Sequence, residues 1–221
     1  MKVPRISQAT VSRLPVYVDC LMKFAGDGVA IVSSKQLSQA AGVSAAQLRK
    51  DLSYLGDFGI PGTGYVVNNL LRQMARYIGL TRQWRVAIVG YGDLGSALSR
   101  YRGFLDRNFS IVAAFDVDPA KLGRRYGDVE VHPIANLETV IKEKEVELAL
   151  ITTPAHAAQQ VADRLVAAGI RAILSFAPVP LVVPDDVVLR EVDLATEIRI
   201  LSFYETLRSS QTPSTPLSLS C

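Results

Sequence analysis

Cysteine is nearly absent from this 221-residue chain, with Cys20 and Cys221 the only two. Two thiols at opposite ends give no disulfide framework and too few ligands for a zinc site, and they fit a reducing, cytoplasmic compartment. No metal site is expected. Histidine is equally scarce, limited to His132 and His156. No uninterrupted apolar run approaches the roughly 18 residues that span a bilayer. Met1-Lys2-Val3-Pro4-Arg5 has no apolar stretch behind it, so no secretory signal is expected either. No internal repeat is visible. What remains is ordinary globular composition, 49% hydrophobic and 20% charged, with length for one large domain or two modest ones.

The net charge of +3 hides an asymmetry. Residues 1–83 carry ten Lys/Arg and four Asp/Glu, and residues 84–221 carry fourteen and seventeen. A basic head on a mildly acidic body points to a polyanion met by the head alone. A break near Thr81–Gln83 separates a helical half from one that alternates strands and helices.

In the first half, Val11 to Phe24 reads as a helix with Leu14, Val18, Leu21 and Met22 on its apolar face, and Pro15 is tolerable only near its first turn. Ser33 with Gln36 forms a capping box that opens a short helix ended by Gly42. Ser44 with Gln47 repeats the box and opens another, ended by Gly56. Two short capped helices joined by a tight turn are a helix-turn-helix pattern, spanning about residues 17–56. In the second of them Leu48, Leu52 and Leu55 bury one side. Ala46, Gln47, Lys50, Ser53 and Tyr54 occupy the other, with Arg49 at the margin. Long donors and a phenol there suit a major groove, although a solvated face carries the same residue types. Residues Asp57 to Val67, with Gly59, Pro61, Gly62 and Gly64 in the turn and Tyr65 to Val67 as strand, read as a hairpin wing rather than a plain connection. A helix from Asn68, which caps it, to Ile78 follows, ended by Gly79.

The second half opens with the strand Arg85 to Val89, which runs into Gly90-Tyr91-Gly92-Asp93-Leu94-Gly95 and a helix from Ser96 to Arg102. This is G-x-G-x-x-G between a strand and a helix, the setting in which a dinucleotide pyrophosphate sits on a helix N-terminus. A second strand, Ser110 to Phe115, ends in Asp116, twenty-one residues beyond Gly95. A carboxylate there accepts from the ribose hydroxyls and repels a 2′-phosphate, which favours NAD(H) over NADP(H). Lys121, Arg124 and Arg125 temper that preference. Further strands at Val129–His132, Leu148–Thr152, Arg171–Phe176 and Val187–Glu191, with helices at Asn136–Lys142 and Ala155–Ala168, imply a Rossmann-like, doubly wound parallel sheet. Thr152, Thr153 and Pro154 flank its crevice and are secondary candidates for cofactor contact. His132 ends an edge-type strand and His156 starts a helix. Neither has the companions that hydride transfer to a substrate requires, so the cofactor reads as a signal.

The last helix, Leu194 to Arg208, is apolar around much of its circumference and needs more burial than one sheet face gives. Insertion into a second subunit supplies it, and packing between the two domains of its own chain is the other reading. Ser, Thr and Pro make up nine of the thirteen residues from Ser209 to Cys221, which reads as a disordered tail. The organisation expected is therefore a winged-helix domain (1–83), a Rossmann NAD(H)-binding domain (84–193), a swapped dimer helix (194–208) and a tail (209–221).

The sequence resembles the Rex family of redox-sensing repressors. The resemblance is carried by Ile6 to Leu14 with Tyr17, by Val32-Ser33-Ser34 with Leu37, and by Leu48-Arg49-Lys50-Asp51-Leu52-Ser53-Tyr54-Leu55-Gly56. It continues through Gly62 to Tyr65, Gly90 to Gly95, Phe115-Asp116-Val117-Asp118, Ala167 to Leu174 and Phe176-Ala177-Pro178. It implies a homodimer with swapped terminal helices that represses respiratory and fermentative genes from palindromic operator DNA. NADH binding releases the operator and NAD+ competes. Arg49, Lys50, Ser53 and Tyr54, with Gln47, Gly62 and Tyr65 beside them, become the DNA-binding candidates, and Gly90, Gly92, Gly95 and Asp116 match the cofactor contacts. Tyr101 and Asp193 match residues that reach across the dimer and couple cofactor to DNA-domain orientation. The family pattern has Arg where this chain has Asp19, so two carboxylates would face each other, and Arg13 is a possible substitute for the Asp193 partner. Ser175 stands where Asn is common. Two other functions compete: an NAD-dependent oxidoreductase with an accessory helix-turn-helix, and a CoA-binding module suggested by the glycine loop with Ile151-Thr152-Thr153-Pro154.

Overall fold

The Ser7 side chain accepts the Thr10 N–H and so starts α1, Gln8–Gly26, earlier than periodicity suggested. Pro15 lies in the interior of this helix, not in its first turn. It is tolerated because Pro15 and Val11 are both on the exposed side, where the carbonyl left without its partner stands beside water. Met22 is also exposed, and Tyr17 joins Leu14, Val18 and Leu21 on the buried face instead. The computed structural model describes residues 6–127 and 129–211. It divides into two compact units, Met1–Gln83 and Trp84–Cys221.

In the first unit β1, Ile31–Val32, is followed by α2, Ser34–Ala40, which carries both halves of its capping box. A turn through Gly42 leads to α3, Ala45–Ser53. Only half of the second box forms, since Ser44 accepts from the Gln47 N–H while the Gln47 side chain turns to Asp51. The helix stops at Ser53, before Gly56. The wing differs from the expected hairpin. Residues Ile60 to Gly64 close a tight turn, with the Ile60 N–H donating to the Gly64 carbonyl at 2.8 Å. The strand β2, Tyr65–Val66, pairs antiparallel with β1 ahead of α2, not with residues 57–60. Gly64 is required there, because its φ is 111° and a Cβ would stand 2.5 Å from the Val32 carbonyl oxygen. The helix α4, Val67–Tyr77, starts at Val66 without a side-chain cap, so Asn68 lies inside it. One core joins α1, α2, α3 and α4 through Tyr17, Leu21, Leu37, Leu48, Leu70 and Met74.

The second unit runs β3 (Trp84–Val89), α5 (Asp93–Ser99), α6 (Arg102–Leu105), β4 (Phe109–Asp116), β5 (Arg125–Tyr126), β6 (Val129–Pro133) and α7 (Leu137–Glu143). It continues with β7 (Leu148–Ile151), α8 (Ala155–Ala167), β8 (Ala172–Ser175), β9 (Val188–Glu191) and α9 (Leu194–Gln211). The sheet order is β5-β6-β4-β3-β7-β8-β9, parallel throughout except for β5. This is a Rossmann-like, doubly wound sheet whose strand order reverses between β3 and β7, which sets the crevice beyond their C-terminal ends. The two-residue β5 was not foreseen. It pairs with β6, so the His132 strand is not the edge of the sheet.

From Leu194 to Ser209 every side chain of α9 is exposed, including Ile198, Leu201, Phe203 and Tyr204. Residues 209–211 continue the helix rather than beginning a disordered tail, and 212–221 lie outside the described residues. No helix among the described residues is long and apolar enough to cross a membrane.

Candidate functional site

Beyond β3 the chain must turn sharply and then start a helix that packs on the strand it has left. Gly90 permits the turn with φ 96°, where a Cβ would meet the Thr152 carbonyl oxygen at 2.7 Å. Gly95 permits the packing, since a Cβ there would lie 2.1 Å from the Gly90 oxygen. Gly92, which precedes α5, is different: a Cβ there meets nothing within 4 Å. The loop is tight against protein at its two ends and open at its centre, the shape that lets backbone approach a pyrophosphate. Asp93 and Leu94 sit in the first turn of α5 with exposed side chains, and Tyr91 turns inward to a core and meets the Ser99 hydroxyl at 2.6 Å. Tyr91 therefore serves the loop through its backbone.

Asp116 ends β4 beside this loop, its side chain 8% exposed. One oxygen accepts the Tyr91 N–H at 2.8 Å and the Lys121 ammonium at 3.0 Å, and the other accepts the Asp118 N–H at 2.9 Å. Burial pushes this carboxyl upward, but the two backbone donors and Lys121 outweigh it and hold the group below the usual carboxylate range. Three bonds leave acceptor capacity for a ribose hydroxyl. The crevice is a cavity of about 660 Å³ lined by Gly90, Gly92, Asp116, Thr153, His156 and Arg164 among others. Thr152, a candidate contact, donates its hydroxyl to the Gly90 carbonyl at 2.6 Å and so braces the turn. Thr153 is the hydroxyl with unmet capacity, being buried in this wall without a partner. His132 Nε2 is likewise buried and unpartnered, on β6 next to Phe115. The glycine cradle, the ionised Asp116 and the orphaned Thr153 hydroxyl fit an adenine dinucleotide.

In the first unit Lys50, Ser53 and Tyr54 project from α3 into solvent, and Arg49 reaches the Ser34 hydroxyl at 3.3 Å. The Ser53 hydroxyl bonds back to the Lys50 carbonyl. Gly62 stands at the exposed tip of the wing turn with φ 76°, whereas Tyr65 is buried in the core. The residue that sequence reasoning missed is Asp51. It is fully buried, and Arg13, Tyr17, Gln47 and Thr10 all donate to it, at 2.6–2.8, 2.7, 2.8 and 3.1 Å. Burial alone would raise its pKa; these donors instead lower it to about 2. The signal was present as a lone acid between Lys50 and Leu52, on the apolar side of the helix.

Residues 81–179 match the family described as CoA binding domain, and residues 5–53 match the putative DNA-binding protein N-terminus. A redox-sensing transcriptional repressor Rex of Streptomyces avermitilis is 48% identical over 93% of this chain and 82% of its own. That of Desulforamulus reducens is 46% identical over 94% of this chain and 99% of its own. The chain belongs to the Rex family of redox-sensing transcriptional repressors. The crystal structure of RSP in complex with β-NAD+ and operator DNA aligns at a TM-score of 0.86, with 34% identity, over 94% of this chain and 99% of that one. RSP in complex with β-NADH aligns at 0.83.

Within this Rex-family chain the expected switch residues are placed as follows. Arg13, the suggested substitute for the Asp193 partner, is bound through Nε and a terminal nitrogen to Asp51 of its own unit. Asp51 takes the Nε edge of the guanidinium, and the side chain remains 27% exposed. Asp19 is exposed on α1. Asp193 accepts from the Ala195 N–H at 2.9 Å and the Thr196 hydroxyl at 2.7 Å, and so opens α9. Tyr101 is exposed before α6, its ring edge-on to Phe104 at 5.2 Å.

Proposed function

We propose that this chain binds a palindromic operator as a homodimer and releases it when NADH occupies the crevice of the second unit, so that repression follows the NADH/NAD+ ratio. The observation that carries this reading is the pairing, in one chain, of an exposed recognition helix on a basic unit with a glycine cradle closed by an ionised Asp116. Arg49, Lys50, Ser53, Tyr54 and Gly62 face the DNA, the cations neutralising phosphate or reading guanine. Gly90 and Gly92 admit the pyrophosphate, Asp116 orients the adenosine ribose, and Thr153 supplies a hydroxyl to the bound ligand. Coupling requires that NADH bind the DNA-incompetent arrangement more tightly than the competent one.

The homodimer is supported by two matching apolar surfaces. One is α9, exposed from Leu194 to Ser209. The other is a groove of about 290 Å³ on the sheet, lined by Val86, Phe109, Ile111, Leu148, Leu174 and Val188. Such surfaces are covered in a soluble protein, and a helix exchanged between copies covers both. Tyr101 and Asp193 act at that interface. A repressor works where its DNA is, which for this chain is the cytoplasm.

The match to a CoA binding domain favours a second reading, in which the crevice takes CoA. Asp116 opposes it, since the adenosine ribose of CoA carries a phosphate. Both are tested by selecting duplexes from a random pool in the presence of NADH, NAD+ or CoA. Enrichment of a palindrome that micromolar NADH releases, and equal NAD+ or CoA does not, is the expected result. Release by CoA alone would replace this reading with the second, and enrichment of no duplex would remove the repressor reading and leave NADH and CoA to be compared by direct titration.

A further inference from the structure

The unexplained feature of the first unit is why a recognition-helix glutamine is attached to the core. Gln47 is in the first turn of α3, the part of such a helix that meets base edges. A glutamine amide is ordinarily ambivalent: flipped one way it presents a carbonyl, flipped the other way an NH2. Here the flip is decided by chemistry. Asp51 is an ionised carboxylate, which only accepts, and its oxygens already take the Arg13, Tyr17 and Thr10 donors. Only the Gln47 NH2 can face it, and Nε2 does so at 2.8 Å. The amide carbonyl is the end left for a partner outside the helix. That oxygen has nothing to offer a phosphate, which also only accepts.

We propose that Asp51 orients Gln47 as a fixed hydrogen-bond acceptor that reads an amino-bearing base in the major groove. The base is adenine through N6 or cytosine through N4, and adenine is preferred because the remaining amide hydrogen can add N7. The reverse base pair puts a thymine or guanine oxygen at the same place, and two acceptors then face each other. Asp51 is a positioning residue in this scheme and Gln47 the specificity residue. The proposal rests on the DNA-binding reading above and adds to it one position per half-site and the sense of its preference.

The test is selection from random duplexes with the full chain, followed by competition between single-base variants of the enriched half-site. Gln47→Leu lacks the acceptor and is expected to lose about tenfold discrimination at one position, with the remaining positions unchanged. In the unsubstituted chain, replacing the amino-bearing base there by its analogue without the amino group is expected to weaken binding about tenfold, and in Gln47→Leu it is expected to change nothing. An unchanged base profile in Gln47→Leu overturns the proposal. So does equal binding of the unsubstituted chain to the half-site with and without that amino group, since Gln47 would then read through its N–H. Failure of the unsubstituted chain to enrich any duplex is a different result, because it removes the DNA-binding reading itself.

Discussion

Asp51 and Asp116 are the same group used in two ways. Both are buried carboxylates held ionised, one in each unit. Asp51 is surrounded by side chains of its own unit, from α1 and from one turn earlier on α3, until its acceptor capacity is full. Asp116 is held chiefly by backbone N–H groups at the mouth of a cavity, and it keeps capacity in reserve. A saturated buried charge ties elements together, while an unsaturated one at a cavity wall waits for a ligand. Burial and pKa direction alone do not separate the two roles, but counting donors does.

The sharpest break in this comparison is Asp51→Ala. Removing this buried acceptor leaves the partly exposed Arg13 guanidinium uncompensated, and the Tyr17 and Thr10 hydroxyls and the Gln47 amide lose their acceptor as well. A loss of about 3 kcal/mol or more in the stability of the first unit is expected, with operator binding lost in consequence. Urea denaturation followed by circular dichroism measures it. An unchanged profile would mean that the apolar contacts of Leu48 and Leu52 hold α3 unaided.

The glycines of the second unit divide in a similar way. Gly95→Ala sets a Cβ against the Gly90 carbonyl oxygen, a backbone atom that cannot swing aside. About 3 kcal/mol of stability should go, and cofactor binding with it. Gly92→Ala meets no protein atom and has a φ of −78° that alanine adopts freely, so stability should change by less than about 0.5 kcal/mol. NADH affinity, followed by cofactor fluorescence, should nevertheless fall at least tenfold, because the new methyl takes the room of the pyrophosphate. Equal affinity in Gly92→Ala would place the ligand elsewhere.

The second unit was the more legible in the sequence, for physical reasons. A parallel strand buried on both faces is a short apolar run, and Val86 to Val89 and Leu148 to Ile151 announce themselves. The cradle is legible because only glycine fits positions like Gly90 and Gly95. In the first unit the buried leucines of α3 follow a helical period and were equally plain. The wing was not, because β1 and β2 are two residues each and pair across more than thirty positions of chain, too short for any period to show. The contact between Arg13 and Asp51 was passed over for a related reason. It joins residues 38 apart, and the place of Asp51 on the apolar side of α3 marks it as buried without naming its partner.

Acid should find the weak point of the saturated site. Asp51 titrates near 2 in the folded chain against an ordinary 3.8, so its contribution is complete above about pH 3.8 and is lost as the pH falls toward 2. The shift corresponds to about 2 kcal/mol. At the other extreme, the Tyr17 hydroxyl is pushed up to about 12 by burial and by its bond to Asp51. Its contribution is complete below pH 10 and fades between 10 and 12. Denaturation at stepped pH should show both flanks. In Tyr17→Phe the alkaline flank should shrink to what groups such as the buried Tyr65 hydroxyl and Cys20 thiol contribute, and the acid one should weaken but remain.

The smallest effect separates backbone from side chain at the unsaturated site. Lys121 contacts Asp116 at 3.0 Å, but its side chain is 32% exposed, and ion pairs open to solvent contribute little. In Lys121→Ala the Tyr91 and Asp118 N–H groups still fix both carboxylate oxygens, so Asp116 keeps its pose toward a ribose. NADH affinity should change by less than about threefold, far less than in Gly92→Ala. A tenfold loss would show that the ammonium, not the backbone, holds the carboxylate ready. Asp116 would then be a paired charge much like Asp51, and the contrast between the two sites would narrow to how many side chains surround each.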